Sequence, residues 1–519
     1  MAATHVLNVD LGKIHQRDGD KYTYLTTVAW GDPLDVREIE SDHVRVGATT
    51  IYTEADGSPR WEEVDGFLRV PRGSGLTGDD LVRELDANEV MKVDFVDVQQ
   101  GDAAVVETPA GKVILIDGGD NQLFARYLAN RFRDTSSDDP KEIDAIVVTH
   151  GDADHFEGLT EIYDSEEHEI SHKRLFIHPQ RVFHNGLVKR PSSVRDDELL
   201  GETTTVNGDT IITSLHDDLL EVPDEDMNQP FRKWKEALSA YSDRGDIDMR
   251  RLELGSHDAF DFLHDEGISV EVLGPLTTKL DGEVGLKFLG TPRDDAELRD
   301  QPVRPTHFSG KSASHTINGH SVILRFSYGD ARFLFAGDLN EQAETDLVAR
   351  HEAGGIELTA EVLKVPHHGS ADFSQSFLEA AAPVISVVSS GDDNALKEYI
   401  HPRAPLIGAL GRYSRKEIKE PIIFVTEMVA FFEALDWITP EFHKFFRDKV
   451  VIKDGEVEID EKALKAFYAF RRSAFGIVKV RTDGKRLLVW TNSGQVALKE
   501  AYAFDLEHDP PRRTNLKRV

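Results

Sequence analysis

With 519 residues, 30% of them charged and a formal net charge of −34, the chain is long enough for one elaborated domain or several. It is too acidic to coat a phosphate backbone without locally clustered cations, which disfavours bulk nucleic-acid binding. It contains no cysteine, which excludes disulfides, thiolate zinc sites and cysteine nucleophiles, so any metal must be held by His, Asp or Glu. No stretch reaches the ~20 apolar residues of a membrane span and the N-terminus has no basic-then-apolar leader, so the expectation is a soluble, cytoplasmic protein with no membrane partner.

In chain order, residues 1–88 alternate short β-type runs (22–30, 43–52, 66–70) with Asp-Gly and Gly-Asp turns and read as a small β-rich segment. The pattern sharpens over 92–98, 103–107 and 112–116, three apolar strands of which the last closes on Asp117-Gly118-Gly119. A helix over 122–132, a strand over 143–149 and a helix over 156–163 follow, and this alternation predicts an α/β fold. Between about 180 and 310 charge density rises; apart from a helix at 230–241 and a strand at 268–273, this stretch reads as an insertion over the core. Strands at 321–326 and 332–336 form a hairpin ending on Gly337-Asp338, and the βα rhythm resumes with helices at 341–350 and 374–381 and strands at 362–365 and 384–388. The expected division is 1–88, a core over 89–412, a helical insertion over 413–474 carrying Phe431, Phe432, Phe442, Phe445 and Phe446, and over 475–519 a closing hairpin with a basic tail, read as mobile, with its charge able to fold back on the acidic body as the alternative.

The chemistry concentrates where strands end. The run Thr149-His150-Gly151-Asp152-Ala153-Asp154-His155 places four metal-capable side chains within six positions, so that His150 and Asp152 can serve one ion and Asp154 and His155 a second. Asp338 can bridge two cations, cap the helix that begins at Leu339, or do both, since one carboxylate has two oxygens. In Val365-Pro366-His367-His368-Gly369, two adjacent histidines would be costly as core residues, and the glycine permits close approach of a ligand. Asp117 is a turn residue or a carboxylate that orients a liganding imidazole; His320 is a turn residue or a further donor; His401, in a His-Pro pair, is weak on its own.

Together with Asp97-Val98-Gln99-Gln100-Gly101-Asp102, these motifs, in this order, resemble the metallo-β-lactamase superfamily, and most closely the soluble relatives of the hydrolase domain of ComEC-type competence proteins. The resemblance covers roughly 92–412 and 475–492 and implies an αββα sandwich with two divalent ions, zinc or manganese. It implies that His150, Asp152 and one of His367 or His368 hold one ion, and Asp154, His155 and His401 the other, with Asp338 shared. Asp at position 152, where many members carry His, is typical of the competence-type branch and of related phosphodiesterases. The implied activity is phosphodiester hydrolysis by a metal-bound hydroxide, with Asp154 or His368 moving protons and with Lys311, Arg325, Lys364 and Arg403 as candidate cations for the substrate. The alternatives are an ester, lactone or thioester hydrolase on the same metals, or a non-catalytic interaction subunit, and a protein partner stays open.

Overall fold

In the computed structural model, residues 3–53, 59–195, 198–290, 311–391, 401–416, 418, 421–427, 450–453, 456–459, 476–491 and 500–519 are described. Two sheets face each other. The larger has ten strands, in the order Asp248–Arg251, Arg181–His184, Ala145–Val147, Val113–Ile116, Ala104–Glu107, Met91–Phe95, Val478–Thr482, Arg486–Thr491, Ala501–Asp505 and Arg512–Thr514. The smaller has six: Ile268–Gly274, Ile323–Tyr328, Ala331–Phe335, Val362–Lys364, Ile385–Val388 and Ile422–Val425.

The runs Val113–Ile116 and Ala145–Val147 pair in parallel, as do Ala331–Phe335, Val362–Lys364 and Ile385–Val388. Continuous apolar strands of this kind must be covered on both faces. On the inner face they make the core between the sheets, where Phe95 stacks on Phe335 at 5.7 Å and Val93, Ile114, Val147, Leu324 and Val362 are buried. On one outer face lie the helices Leu123–Arg131, Ala153–Asp164 and Gln229–Ser242, with Phe124, Phe156 and Trp234 inward. On the other lie Glu341–Glu352, Gln375–Ala381 and Ala404–Tyr413, with Leu347, Phe377 and Leu406 inward. The architecture is an αββα sandwich.

Two expectations are corrected. The stretch 180–310 is not only an insertion, because Arg181–His184, Asp248–Arg251 and Ile268–Gly274 are strands of the two main sheets. Ile268–Gly274 is the strand expected at 268–273, whereas the four-residue strands Arg181–His184 and Asp248–Arg251 are too short and too charged to show in the sequence. The C-terminal tail is not mobile: past the expected hairpin, Ala501–Asp505 and Arg512–Thr514 extend the large sheet, and Val519 N donates to Leu11 O at 2.9 Å while Lys13 N donates to Val519 O at 3.0 Å. Arg486 grips the fully buried Asp10, which also accepts from Lys517 N at 2.5 Å, so the tail docks against the N-terminal strands.

Those N-terminal strands form a five-stranded and a three-stranded sheet around Leu7, Ile14, Val44, Val46 and Leu68. Of the 413–474 stretch, the phenylalanines expected to carry a helical insertion lie outside the described residues; the described parts include the end of the helix Ala404–Tyr413, the edge strand Ile422–Val425 and the hairpin Val450–Lys453 with Glu456–Ile459. Among the described residues no helix is long and apolar enough to cross a membrane.

Candidate metal centre

The carboxyl ends of the strands come together at one edge of the sandwich, where an α/β sheet gathers ligand-binding groups. The first main-chain device is Gly101, which has a φ of 102° and lies against the motif loop: a Cβ there would overlap the carbonyl oxygen of Asp154. Asp102 N donates to Asp154 O at 3.3 Å and Gly118 N to His155 O at 2.6 Å, so the loop from 97 to 102 and the Asp117 turn clamp the backbone of the motif. Asp152 is the N-cap residue of the helix Ala153–Asp164, which presents Asp154 and His155 from its first turn.

Asp117, held at a φ of 57°, accepts from Thr149 N and Thr149 Oγ1, both at 2.7 Å, and its Oδ2 lies 2.9 Å from His155 Nδ1. That contact turns His155 Nε2 toward Asp338, 3.2 Å from Oδ1. Asp338 N donates to Ser321 Oγ at 3.1 Å, and the helix after it is capped by Asn340, so the N-cap reading of Asp338 does not hold and its carboxylate is left for the cavity. His368 Nε2 lies 3.1 Å from Asp338 Oδ2 and 3.5 Å from Asp154 Oδ2, while its Nδ1 lies 3.2 Å from Asp102 Oδ1. His367 and His368 have φ of 48° and 51°, a conformation that costs non-glycine residues free energy and is held by the surrounding packing.

These groups are spaced to hold cations. Ligand atoms of His150, His155 and Asp338 lie within 4.8 Å of one another, as do those of Asp154, His155 and His368, and those of Asp102, Asp338 and His368. His150 Nε2 is buried with no hydrogen-bond partner, and His155 Nε2 and His368 Nε2 meet only the carboxylates of Asp338 and Asp154, an arrangement that is costly unless a cation or proton lies among them. Although burial opposes the charge, Asp338 and Asp117 raise His155 and Asp338 and Asp102 raise His368 well above the usual imidazole range. Burial, with His155 beside it, pushes His150 well below that range. Three imidazoles facing carboxylates suit zinc or manganese in donor type and number.

The sequence candidates divide under this geometry. His150, Asp154, His155, Asp338 and His368 converge, and Asp117 supports His155 from behind. His401 is buried further off, its ring 6.5 Å from that of His368 and 6.0 Å from that of His367, with burial and those two imidazoles lowering it to about 3. His367 belongs to none of the close groups among the described residues. Asp152 is turned aside: Lys189 Nζ lies 2.8 Å from its Oδ1, and the Asn318 amide nitrogen, in the orientation its contacts require, donates to Oδ2 at 2.9 Å. His320 faces away, its Nε2 2.7 Å from the carbonyl of Lys287, so the idea that it supports the metals is corrected. Of the candidate substrate cations, Lys364 is buried against Asp102 and Arg325 pairs with Glu271. Sequence reading missed Lys189, Asp102 and Thr149 as members of the site. Asp102 closes the motif that begins at Asp97 and could have been found there, but nothing near Lys189 in the chain marks it.

A model of the Metallo-beta-lactamase superfamily matches residues 96–219 and 248–391, more than half of the chain, and the chain belongs to that superfamily. A stretch of 86 residues is 42% identical to Competence protein ComA of Neisseria gonorrhoeae, covering 16% of this chain and 12% of that protein. Among solved structures, a long form RNase Z from yeast aligns over 65% of this chain and 36% of its own with 9% identity and a TM-score of 0.21.

Proposed function

We propose that this chain is a metal-dependent hydrolase acting on phosphodiesters. The observation that carries the reading is the convergence of His150, Asp154, His155, Asp338 and His368 at the strand ends, with buried inward atoms that face chiefly one another. When bound, divalent ions supply Lewis acidity for a substrate oxygen and lower the pKa of a water toward neutrality.

The residues of the chain do the rest. Asp338 faces both imidazoles, His155 through one oxygen and His368 through the other, and so sets where positive charge sits. Asp117 and Thr149 fix the ring of His155. Asp154 accepts from Gln100 Nε2 at 3.2 Å and, despite burial, is held ionised by His368 and His155, which fits it to hold a cation. Support for a phosphodiester over a carbon-centred ester is the Lys189 ammonium beside the motif, a fixed cation suited to an anionic substrate oxygen.

Metal content by elemental analysis, paired with turnover of bis(p-nitrophenyl) phosphate and p-nitrophenyl acetate in Zn²⁺ and Mn²⁺, tests the reading. The expected result is bound metal, preference for the phosphodiester, and loss of turnover in both Asp154→Ala and Asp338→Ala. Metal with ester turnover alone moves the activity to the carbon-centred class, and a chain that binds no metal sinks the hydrolase reading.

A further inference from the structure

The two halves of the centre are unequally furnished. Asp154, His155, His368 and Asp338 offer a compact set of two carboxylates and two imidazoles. On the other side stand His150 and the shared Asp338, whereas Asp152, the carboxylate the motif supplies there, is in none of the close groups among the described residues. Both its oxygens are engaged, Oδ1 with Lys189 Nζ at 2.8 Å and Oδ2 with the Asn318 amide at 2.9 Å.

Lys189 is not a stray surface side chain. Its carbonyl accepts from Asn228 N at 2.8 Å, and Asn228 caps the helix Gln229–Ser242 through Phe231 N at 3.1 Å. Phe231 packs on Phe156 of the motif helix, ring centroids 4.8 Å apart, and lies where a Cβ on Gly151 would be. The element that supports the motif loop from beneath therefore also anchors the lysine. A divalent ion coordinated by Asp152 would lie within a few Å of this ammonium, and two like charges that close repel, a dication more strongly than a monocation.

We propose that the chain holds a single divalent cation tightly, at Asp154, His155, His368 and Asp338, and that the Lys189 ammonium, fixed on Asp152, takes the place of a second one. The inference rests on the metal-hydrolase reading and changes its nuclearity. An ammonium neutralises charge as a cation does but has no coordination position with which to activate water. It has three N–H donors, of which Asp152 takes one, so the others suit an anionic oxygen of the substrate. The lysine is then a substrate-positioning group on the metal-poor side of the cavity.

The test uses the full chain, stripped of metal and titrated with Mn²⁺, read by native mass spectrometry and by electron paramagnetic resonance. The wild type is expected to take up about one tightly held equivalent with the six-line signal of an isolated ion. Lys189→Met frees Oδ1 of Asp152 and is expected to take up a second equivalent, with the broadened signal of a coupled pair, whereas Lys189→Arg keeps the charge and stays at one. Two comparably held ions in the wild type, or no gain in a folded Lys189→Met, overturn the proposal. If Lys189→Met fails to fold by circular dichroism, the wild-type stoichiometry and spectrum decide. A wild type that binds no ion at all instead removes the hydrolase reading beneath it.

Discussion

His155 Nδ1 lies 2.9 Å from Asp117 Oδ2, and this contact aims the opposite ring nitrogen at Asp338, 3.2 Å away. A carboxylate behind a liganding imidazole fixes its tautomer and raises its basicity, and loss of such a partner typically weakens metal affinity by about 10–100-fold. Asp117→Asn is therefore expected to lower metal affinity within that range while leaving the circular dichroism spectrum unchanged. Competition with a chelating dye measures it, and equal affinity in the two proteins would show that His155 is oriented without Asp117.

Gly101 makes a sharper steric prediction. Any side chain there meets both a φ of 102° and the Asp154 carbonyl, so Gly101→Ala must displace the motif loop. The expected outcome is loss of metal binding together with a fall in stability of about 1–3 kcal/mol. Gly111, with a φ of 89° and nothing within 4 Å of where a Cβ would stand, is the control: Gly111→Ala carries the backbone strain alone and should keep its metal.

Acid sensitivity should arise partly from Glu107. Burial pushes its carboxyl up, but Lys92 at 2.7 Å and Arg131 at 2.6 Å outweigh that and hold it at about 2, below the ordinary 4.5. Because the folded value is the lower one, the contribution is full above about pH 4.5 and is lost as pH falls from there through about 2. Its ceiling is on the order of 3 kcal/mol. Urea unfolding of the wild type and Glu107→Gln at several pH values should show their stability difference shrinking across this window; a difference independent of pH would contradict the assignment.

The docked tail predicts a dependence of stability on the last residues. Asp10 is fully buried and answered by Arg486 and Lys517 N, so removing residues 510–519 takes away one of those donors and the edge strand Arg512–Thr514. Thermal unfolding should shift down by several degrees, while metal content is retained because the tail lies outside the centre. An unchanged melting temperature would mean the tail contacts contribute nothing net.

Much of the scaffold was legible because its strands and helices carry strong local periodicity. The helix expected at 122–132 is found at Leu123–Arg131, that at 230–241 at Gln229–Ser242, and the hairpin ending on Asp338 at Ile323–Tyr328 and Ala331–Phe335. Arg181–His184 and Asp248–Arg251 were not legible, since each is a four-residue strand stabilised by its parallel neighbour and not by its own composition. The tail was misread because its basic residues look solvated in isolation, while in the fold the backbone N–H of Lys517 meets the buried carboxylate of Asp10, 507 positions earlier in the chain.

The sequence by itself determined the ligand chemistry of this protein. With no cysteine, a His-x-Asp-x-Asp-His run at a strand end, and further carboxylate and imidazole motifs at later strand ends, the donors had to be oxygen and imidazole nitrogen. The apolar strand runs likewise had to be covered on both faces. Only the tertiary structure decided which candidates meet. His320 lies two residues from Asn318, yet one faces the Lys287 carbonyl and the other reaches Asp152. Lys189 lies 37 residues from Asp152 and is set against it by a helix cap and an aromatic contact. Side-chain direction and long-range packing are properties of the assembled sheets, and no local pattern encodes them.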